Sequence, residues 1–370
     1  MKYKNCKLIS KVLLSLLFLL PITCGAARAD NAALRKLAFY GAPPTACTAS
    51  TEGKLADSCW AQAPESSGYY EYWKPNPAPS ILKTRFKMLY NDSGIFLKII
   101  NYDDNLNKLR ASIIRRDAPR LWTDDCATIY FDPQANGVGF MNFTINSQGV
   151  QSDFKRQDTA VTLNDWSAYG WRASTHQTSD AWIIDAYFPW ADLGQKASAG
   201  DIWMFDPVRY AYSSGKFIGA TWAPGGNYEL TTNFGYLYFM KDAHISSETV
   251  AQVLETAAPA PWMLPLDEEI LVHPQPGKMK LTTANAMAAS RHTALQQTIT
   301  RAKDISKNNA TAQKQLTEVE TAATVISYQT PVEALDAIDK LAELQQQAER
   351  IYWKQRRDNL IDKTANIDAE

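Results

Sequence analysis

The chain has 370 residues, with 38 basic and 39 acidic side chains and a formal net charge of -1. That length allows two domains. The charge balance excludes a general attraction to nucleic acid or to an acidic membrane surface. Aromatic residues make up 11% of the chain, including 11 Trp and 17 Tyr. This is enough for a large core and for exposed ring surfaces as well.

Residues 1–29 read as an export signal. Lys2, Lys4, Lys7 and Lys11 give a positive start, and the apolar run Val12 to Leu20 is too short to span a bilayer. Ala27 and Ala29 supply small residues for cleavage before Asp30. Cys24 opens a lipoprotein alternative, but Pro21-Ile22-Thr23 matches a lipobox poorly. No later segment has the length and apolarity of a membrane helix. The mature chain is therefore expected outside the cytoplasm, periplasmic or secreted, with no transmembrane segment. Three cysteines remain in it. Cys47 and Cys59 lie close together in loop-like sequence and are the natural disulfide pair in an oxidising compartment. Cys126 falls inside a strand pattern and reads as a buried free thiol.

Residues 30–242 read as a β domain. "CATIYFDP" alternates, with Ala127, Ile129 and Phe131 on one face and Cys126, Thr128 and Tyr130 on the other. "FMNFTINSQG" puts Met141, Phe143 and Ile145 on one face, and "AWIIDAYFPW" does the same with Trp182, Ile184, Ala186 and Phe188. Short strands punctuated by Gly, Asn, Asp and Pro predict a mainly β fold, an antiparallel β-sandwich of jelly-roll type. Residues 243–281 read as a short serine-capped helix and a Pro-rich connector. Residues 282–370 predict an α-helical extension of two or three helices in an antiparallel, coiled-coil-like hairpin. Val332, Leu335, Ile338, Leu341 and Leu344 form its apolar stripe. Thr330, Pro331 and Glu333 form a capping box at the start of the last helix. This extension is a candidate surface for a protein partner or for self-association.

Catalytic signals are sparse. There is no serine elbow, zinc-binding His-Glu motif or phosphate loop. Asp124 and Asp125 are adjacent, so on an extended chain they point to opposite sides. They cannot form the spaced carboxyl pair of a glycosidase. The reading favours a binding module with no catalytic site of its own.

The order of several segments carries a resemblance. "EGKLADSCWAQAP", "TRFKMLYNDSGIFLKIINYDDN", "RRDAPRLWTDDCATIYFDP", "FTINSQG", "WIIDAYFPWADLG" and "TWAPGGNYELTTNFGYLYF" follow one another over residues 45–240. Together they resemble carbohydrate-binding module family 9 and its wider set of family-9-like domains. The resemblance implies a β-sandwich that binds a poly- or oligosaccharide chain end between two aromatic side chains. The apolar face of a pyranose stacks on a ring while its hydroxyls take hydrogen bonds around the edge. Trp122 matches the first clamp position and Tyr228 falls at the second. Arg116, Asp117 and Asn227 are expected near the polar edge of the ligand, with a loop-fixing Arg116–Asp117 salt bridge as the competing reading. Thr128 and Thr144 stand where the sugar-binding members carry a glutamate and an arginine. The resemblance also implies structural calcium, for which Asp124 and Asp125 are the candidate ligands. Related sandwiches hold b-type haem, with Met88, Met141, Met204 and Met240 as the methionines available here. An electron-transfer domain is therefore one alternative reading, and an interaction protein using the helical tail is another.

Overall fold

The computed structural model describes residues 34–74, 77–158, 161–266 and 269–367. The expected export signal, with Cys24, lies outside the described residues. The chain divides into two compact units, one spanning Lys36–Pro265 and the other taking the chain from Leu266.

The first unit is a β-sandwich. Its main strands are β1 (Phe39–Ala42), β2 (Thr84–Asn91), β3 (Gly94–Tyr102), β4 (Cys126–Asp132), β5 (Phe140–Asn146), β6 (Gln151–Arg156), β7 (Arg172–Gln177), β8 (Ala181–Pro189), β9 (Ile202–Ala211), β10 (Ile218–Thr221) and β11 (Gly235–Phe239). Sheet one has the order β7-β8-β3-β2 and is antiparallel throughout. Sheet two has the order β1-β11-β9-β4-β5-β6, and β10 pairs with the second half of β9. The antiparallel pattern expected from sequence breaks at the edge pair, where β1 runs parallel to β11. A long excursion separates β1 from β2, so no tight turn dictates its direction.

Alternation builds the core as the sequence predicts. Phe86, Met88, Leu97, Ile99, Ile184 and Phe188 face inward from sheet one, against Ile129, Phe131, Phe143, Ile145, Trp203 and Phe205 from sheet two. The Phe131 ring touches those of Phe143, Phe188, Trp203 and Phe205. Gly94, at the tight β2–β3 turn, is required by close approach, because a Cβ there would collide with the Phe188 carbonyl.

The outer face of sheet one is covered. Leu89 and Phe96 pack under Leu55, Trp60 and Ala63, from a strap that includes a short 3₁₀ turn at Asp57–Gln62. The expected disulfide Cys47–Cys59 ties this strap to itself. Cys126 is free and buried, also as expected, and burial pushes its thiol well up. Helix α1 (Ser247–Ala257) closes the unit. The Ser246 hydroxyl accepts from the Thr249 N–H at 3.2 Å, which is the serine cap read from sequence.

The second unit carries a hairpin of β12 (Glu269–His273) and β13 (Lys280–Thr283), then α2 (Ala284–Ile305), α3 (Ala310–Thr324) and α4 (Pro331–Ile367). The capping box forms at α4: the Glu333 N–H donates to Thr330 Oγ1, and the Thr330 N–H donates to Glu333 Oε2, each at 3.3 Å. The two longest helices are not an antiparallel pair. Asn285 bonds the Tyr328 carbonyl, Gln345 bonds Thr298 and Asn359 bonds the Ile305 carbonyl, so α2 and α4 run parallel and α3 returns between them. The buried stripe of α4 is also displaced from the expected one. Ala334, Ala337, Ile338, Leu341, Gln345 and Ala348 face inward, while Val332 is exposed. Small alanines let the neighbouring helix approach closely, and the polar Gln345 is accommodated because Thr298 accepts its hydrogen bond. Among the described residues, no helix is long and apolar enough to cross a membrane.

Candidate functional site

The outer face of sheet two differs in kind from that of sheet one. On β4 and β5 the residues that face away from the core include Thr128, Tyr130, Asn142 and Thr144. Register sets Thr128 opposite Thr144 and Tyr130 opposite Asn142. The two threonine hydroxyls lie 3.0 Å apart, and Thr144 Oγ1 donates to Asn142 Oδ1 at 3.1 Å. The positions where the resemblance places a glutamate and an arginine therefore hold a neutral, mutually bonded pair. One replacement accounts for the other, because either charge alone would be left beside a partner unable to neutralise it.

Thr128, Tyr130, Asn142 and Thr144 are buried, and on the same face of the sheet, from Tyr210 of β9 outward, runs a row of aromatic rings. The Tyr212 hydroxyl donates to the Trp122 carbonyl at 3.2 Å. From Tyr212 the ring contacts pass to Phe217 (5.3 Å between centroids), Tyr210 (5.8 Å), Tyr72 (5.5 Å), Trp73 (5.2 Å) and Tyr228 (5.4 Å). Tyr210 donates to the Tyr72 hydroxyl at 3.2 Å. The inner members, Tyr72, Tyr130 and Tyr210, are buried, and burial pushes all three phenols up so that they stay neutral hydroxyls. The outer members keep open faces: Trp122 is 53% exposed, Trp73 47% and Tyr228 40%. Tyr228 thus stands at one end of the row, whereas Trp122 joins the other end through its backbone carbonyl and its indole lies against the Arg120 guanidinium at 5.8 Å.

Local structure explains both ends. Trp122 sits in a 3₁₀ turn, Leu121–Thr123, entered through Arg120 in a left-handed conformation. Its neighbour Leu121 takes the buried position, which turns the indole outward. The Tyr228 loop is held from below by Asp206 on β9, whose carboxylate accepts from Thr221 Oγ1 (2.7 Å) and the Ala223 N–H (2.9 Å). Burial pushes Asp206 up to about 8 despite these donors. Asn227 is buried beside Tyr228, and its side-chain oxygen accepts from the Glu229 and Leu230 N–H groups. It shapes the loop, and its oxygen is committed to the backbone.

Arg116 and Asp117 lie at the β6 edge. Arg116 donates to Asp153 at 2.6 Å and to the Ala168 carbonyl at 2.8 Å, and stacks over Trp171. Asp117 accepts from the Asp153 N–H and faces Arg116 Nε at 3.3 Å. Asp153 shares its strand face with core-directed neighbours, since its register partner is Phe143. The geometry of this pair is that of a loop tie, and the structure does not bring it into the aromatic row.

The adjacent aspartates are acceptor hubs. Asp124 accepts from the Ser112 N–H and hydroxyl, the Ile113 N–H and Asn146 Nδ2, all at 2.8–3.0 Å. Burial opposes its charge, but these donors outweigh burial and hold it below the ordinary carboxylate range. Asp125 accepts from the Arg110 N–H at 2.7 Å and the Tyr212 N–H at 2.8 Å, and burial pushes it up. Oxygens ringed by N–H and O–H donors face the positive ends of those dipoles. These residues therefore do not fit the calcium expected from the resemblance. Among the described residues, no group of three or more His, Cys, Asp or Glu side chains is placed to hold a metal. The acidic turn at 102–105 is likewise committed, with Asp103 paired to the buried Arg209 at 2.7 Å. Of the methionines proposed as haem ligands, Met88 and Met141 belong to the packed sandwich core, and Met204 and Met240 are buried. A planar macrocycle at Met88 or Met141 would require unpacking that core, so these residues do not fit the group.

Sequence reading passed over Tyr72, Trp73 and Phe217. The signal for the first two was available in "GYYEYWKPNPAP", an aromatic cluster running into a Pro-rich turn at residues 68–79.

Open ring faces on the outer side of one sheet define a class: β-sandwich modules with exposed aromatic platforms. A family model described as "Carbohydrate family 9 binding domain-like" matches residues 51–242, more than half of the chain, and the chain belongs to that family. Three solved structures are similar to it. One is a proposed carbohydrate-binding protein from Bacteroides uniformis, at 15% identity and TM-score 0.44, covering 56% of this chain and all of that one. The others are a carbohydrate binding module family 9 from Caldicellulosiruptor kristjanssonii in complex with cellotriose and with glucose. Both show 14% identity and TM-score 0.39, covering 57% of this chain and 96% and 100% of theirs. A search of curated proteins found no match.

Proposed function

We propose that this is an exported, non-catalytic protein that binds carbohydrate on the outer face of sheet two, with Trp122 and Tyr228 as stacking residues. The observation that carries the reading is the row of rings that ends in the exposed Trp73 and Tyr228, with the exposed Trp122 tied to its other end through Tyr212. C–H faces of a pyranose gain from stacking on such rings, and ring hydroxyls find donors and acceptors at the row's edges. Membership of the family supports the same reading. The non-catalytic part rests on Asp124 and Asp125, whose oxygens are spent on loop donors and offer no carboxyl for acid–base work.

The Thr128–Thr144 pair gives the reading a physical signature. Charge-assisted hydrogen bonds contribute about 1.5–3 kcal/mol each. A site built without them depends on stacking, and its affinity is insensitive to salt. A glycan array followed by affinity electrophoresis tests this with the full chain. The expected result is retention by at least one neutral glycan, unchanged between low and high salt. Trp122→Ala should weaken that retention by about tenfold or more while leaving the unfolding curve in place, because an exposed side chain carries little stability. Failure of the unaltered protein to bind any glycan would overturn the proposal.

A further inference from the structure

Trp73 sits at the tip of a hairpin that the family clamp does not require. The base of the hairpin is well fastened. The Glu71 N–H donates to the Ala78 carbonyl and the Ser80 N–H to the Tyr69 carbonyl, each at 2.8 Å. Tyr70 and Glu71 pair with Thr221 and Ala220 of β10, and the Tyr72 N–H donates to the Gly219 carbonyl at 3.1 Å. Tyr72 is buried by its contact with Tyr210, and its hydroxyl meets the backbone of Tyr228. The next residue has nowhere to go but outward over the row. Trp73 reaches that position with φ of 62°, a left-handed conformation that a bulky residue rarely adopts. Glycine would adopt it at no steric cost, so the indole itself is what the position retains.

The Trp73 ring meets the Tyr228 ring edge-on, at 5.4 Å between centroids and 82° between planes. The two rings thus form two sides of a right-angled corner. Both stay open, at 47% and 40% exposure, which marks Trp73 as a wall of the site; a plug filling it would bury the Tyr228 face.

We infer that Trp73 is a specificity-determining, ligand-contacting residue of this chain, a third platform that takes a sugar ring stacked in the corner it forms with Tyr228. This rests on the carbohydrate-binding reading above. The corner also bears on what fits. A flat ring stacked on one wall of the corner has its rim against the other, so substituents projecting from that rim collide with the second ring. An unbranched glycan enters, whereas one branched at the stacked residue is excluded.

The test uses the full chain and the glycan retained best on the array, with matched branched and unbranched forms. Kd is measured for the unaltered protein and for Trp73→Ala, Trp73→Phe and Trp122→Ala, and a urea unfolding curve is recorded for each. The expected outcome is a loss on the order of tenfold for Trp73→Ala, partial recovery in Trp73→Phe, and a smaller penalty for branched glycans in Trp73→Ala. Folding should be unchanged, because the ring is half exposed. If Trp73→Ala binds as well as the unaltered protein, or more tightly, with Trp122→Ala still impaired, the inference falls and the binding reading stands. If Trp73→Ala has lost its fold, Trp73→Phe decides: undiminished affinity with no branch preference overturns the inference, and reduced affinity supports it. If the unaltered protein binds no glycan, both are overturned.

Discussion

The two outer faces of the sandwich use similar materials to opposite ends. On sheet one, Trp60 of the disulfide-tied strap is buried against Leu89 and Phe96, with Lys98 Nζ 5.2 Å from its ring centroid. On sheet two, Trp122 stands open, its carbonyl bonded to Tyr212 at the end of the aromatic row. Each face also buries an aspartate. Asp185 on sheet one has Lys98 at 3.5 Å, His176 at 3.6 Å and Lys54 at 4.0 Å, so its carboxylate faces two ammonium groups and an imidazole. Asp206 on sheet two has a threonine hydroxyl and a backbone amide, and is pushed up to about 8. Sheet one's outer face is closed by apolar contact and ion pairing. Sheet two's outer face buries neutral hydroxyls and leaves the rings of Trp122, Trp73 and Tyr228 open, which suits a reversible ligand.

The contrast is broken most directly at Trp60. Trp60→Ala removes a buried indole and should cost about 3–5 kcal/mol of stability, read as a lower urea midpoint. Glycan affinity of the protein that remains folded should be unchanged. A loss of affinity without loss of stability would mean that the strap, too, belongs to the site.

Asp206 sharpens the comparison through pH. Its folded value of about 8 lies above the ordinary unfolded value near 3.9, so the native state holds the extra proton between them. The stabilisation is complete below about pH 4 and is lost as pH rises towards 8. Asp206→Asn should flatten that part of the pH–stability profile, measured by urea unfolding at pH 5, 7 and 9. A variant with the same slope as the unaltered chain would show that Asp206 is already ionised at neutrality.

The smallest effect belongs to the threonine pair. Thr128→Val and Thr144→Val each remove one partner of a buried bond and should cost about 1 kcal/mol, with the double variant costing less than their sum. Additive costs would mean that the two hydroxyls are not coupled. Neither change should alter the salt independence of binding, because neither removes a charge.

Much of this was legible in the residues. Strict alternation in "CATIYFDP" and "AWIIDAYFPW" fixes which side chains enter the core, since period-two side-chain direction is a local property of extended chain. The Thr330–Glu333 box and the Ser246 cap are likewise local. The alternating helices were legible, but the third helix's parallel pairing with the first was not, because periodicity defines an apolar stripe and not the helix that meets it. The alanine face of α4, buried by α2 and α3, carried little hydrophobic signal of its own. The roles expected of Arg116, Asp117 and Asn227 depended on where loops end up, and the structure commits Arg116 to Asp153 and Asn227 to its own turn.

The amino-acid sequence by itself determined the strands of the sandwich, the composition of its core and the Cys47–Cys59 pairing. Each of these follows from spacing within a few residues or within one short loop. Only the tertiary structure decided that Thr128 would be bonded to Thr144 and that Trp73 would meet Tyr228. It also decided that Asp206 would sit buried beneath the loop that carries Tyr228. These juxtapositions join segments far apart in the chain. They are set by strand register and loop closure, which no local pattern of side chains encodes.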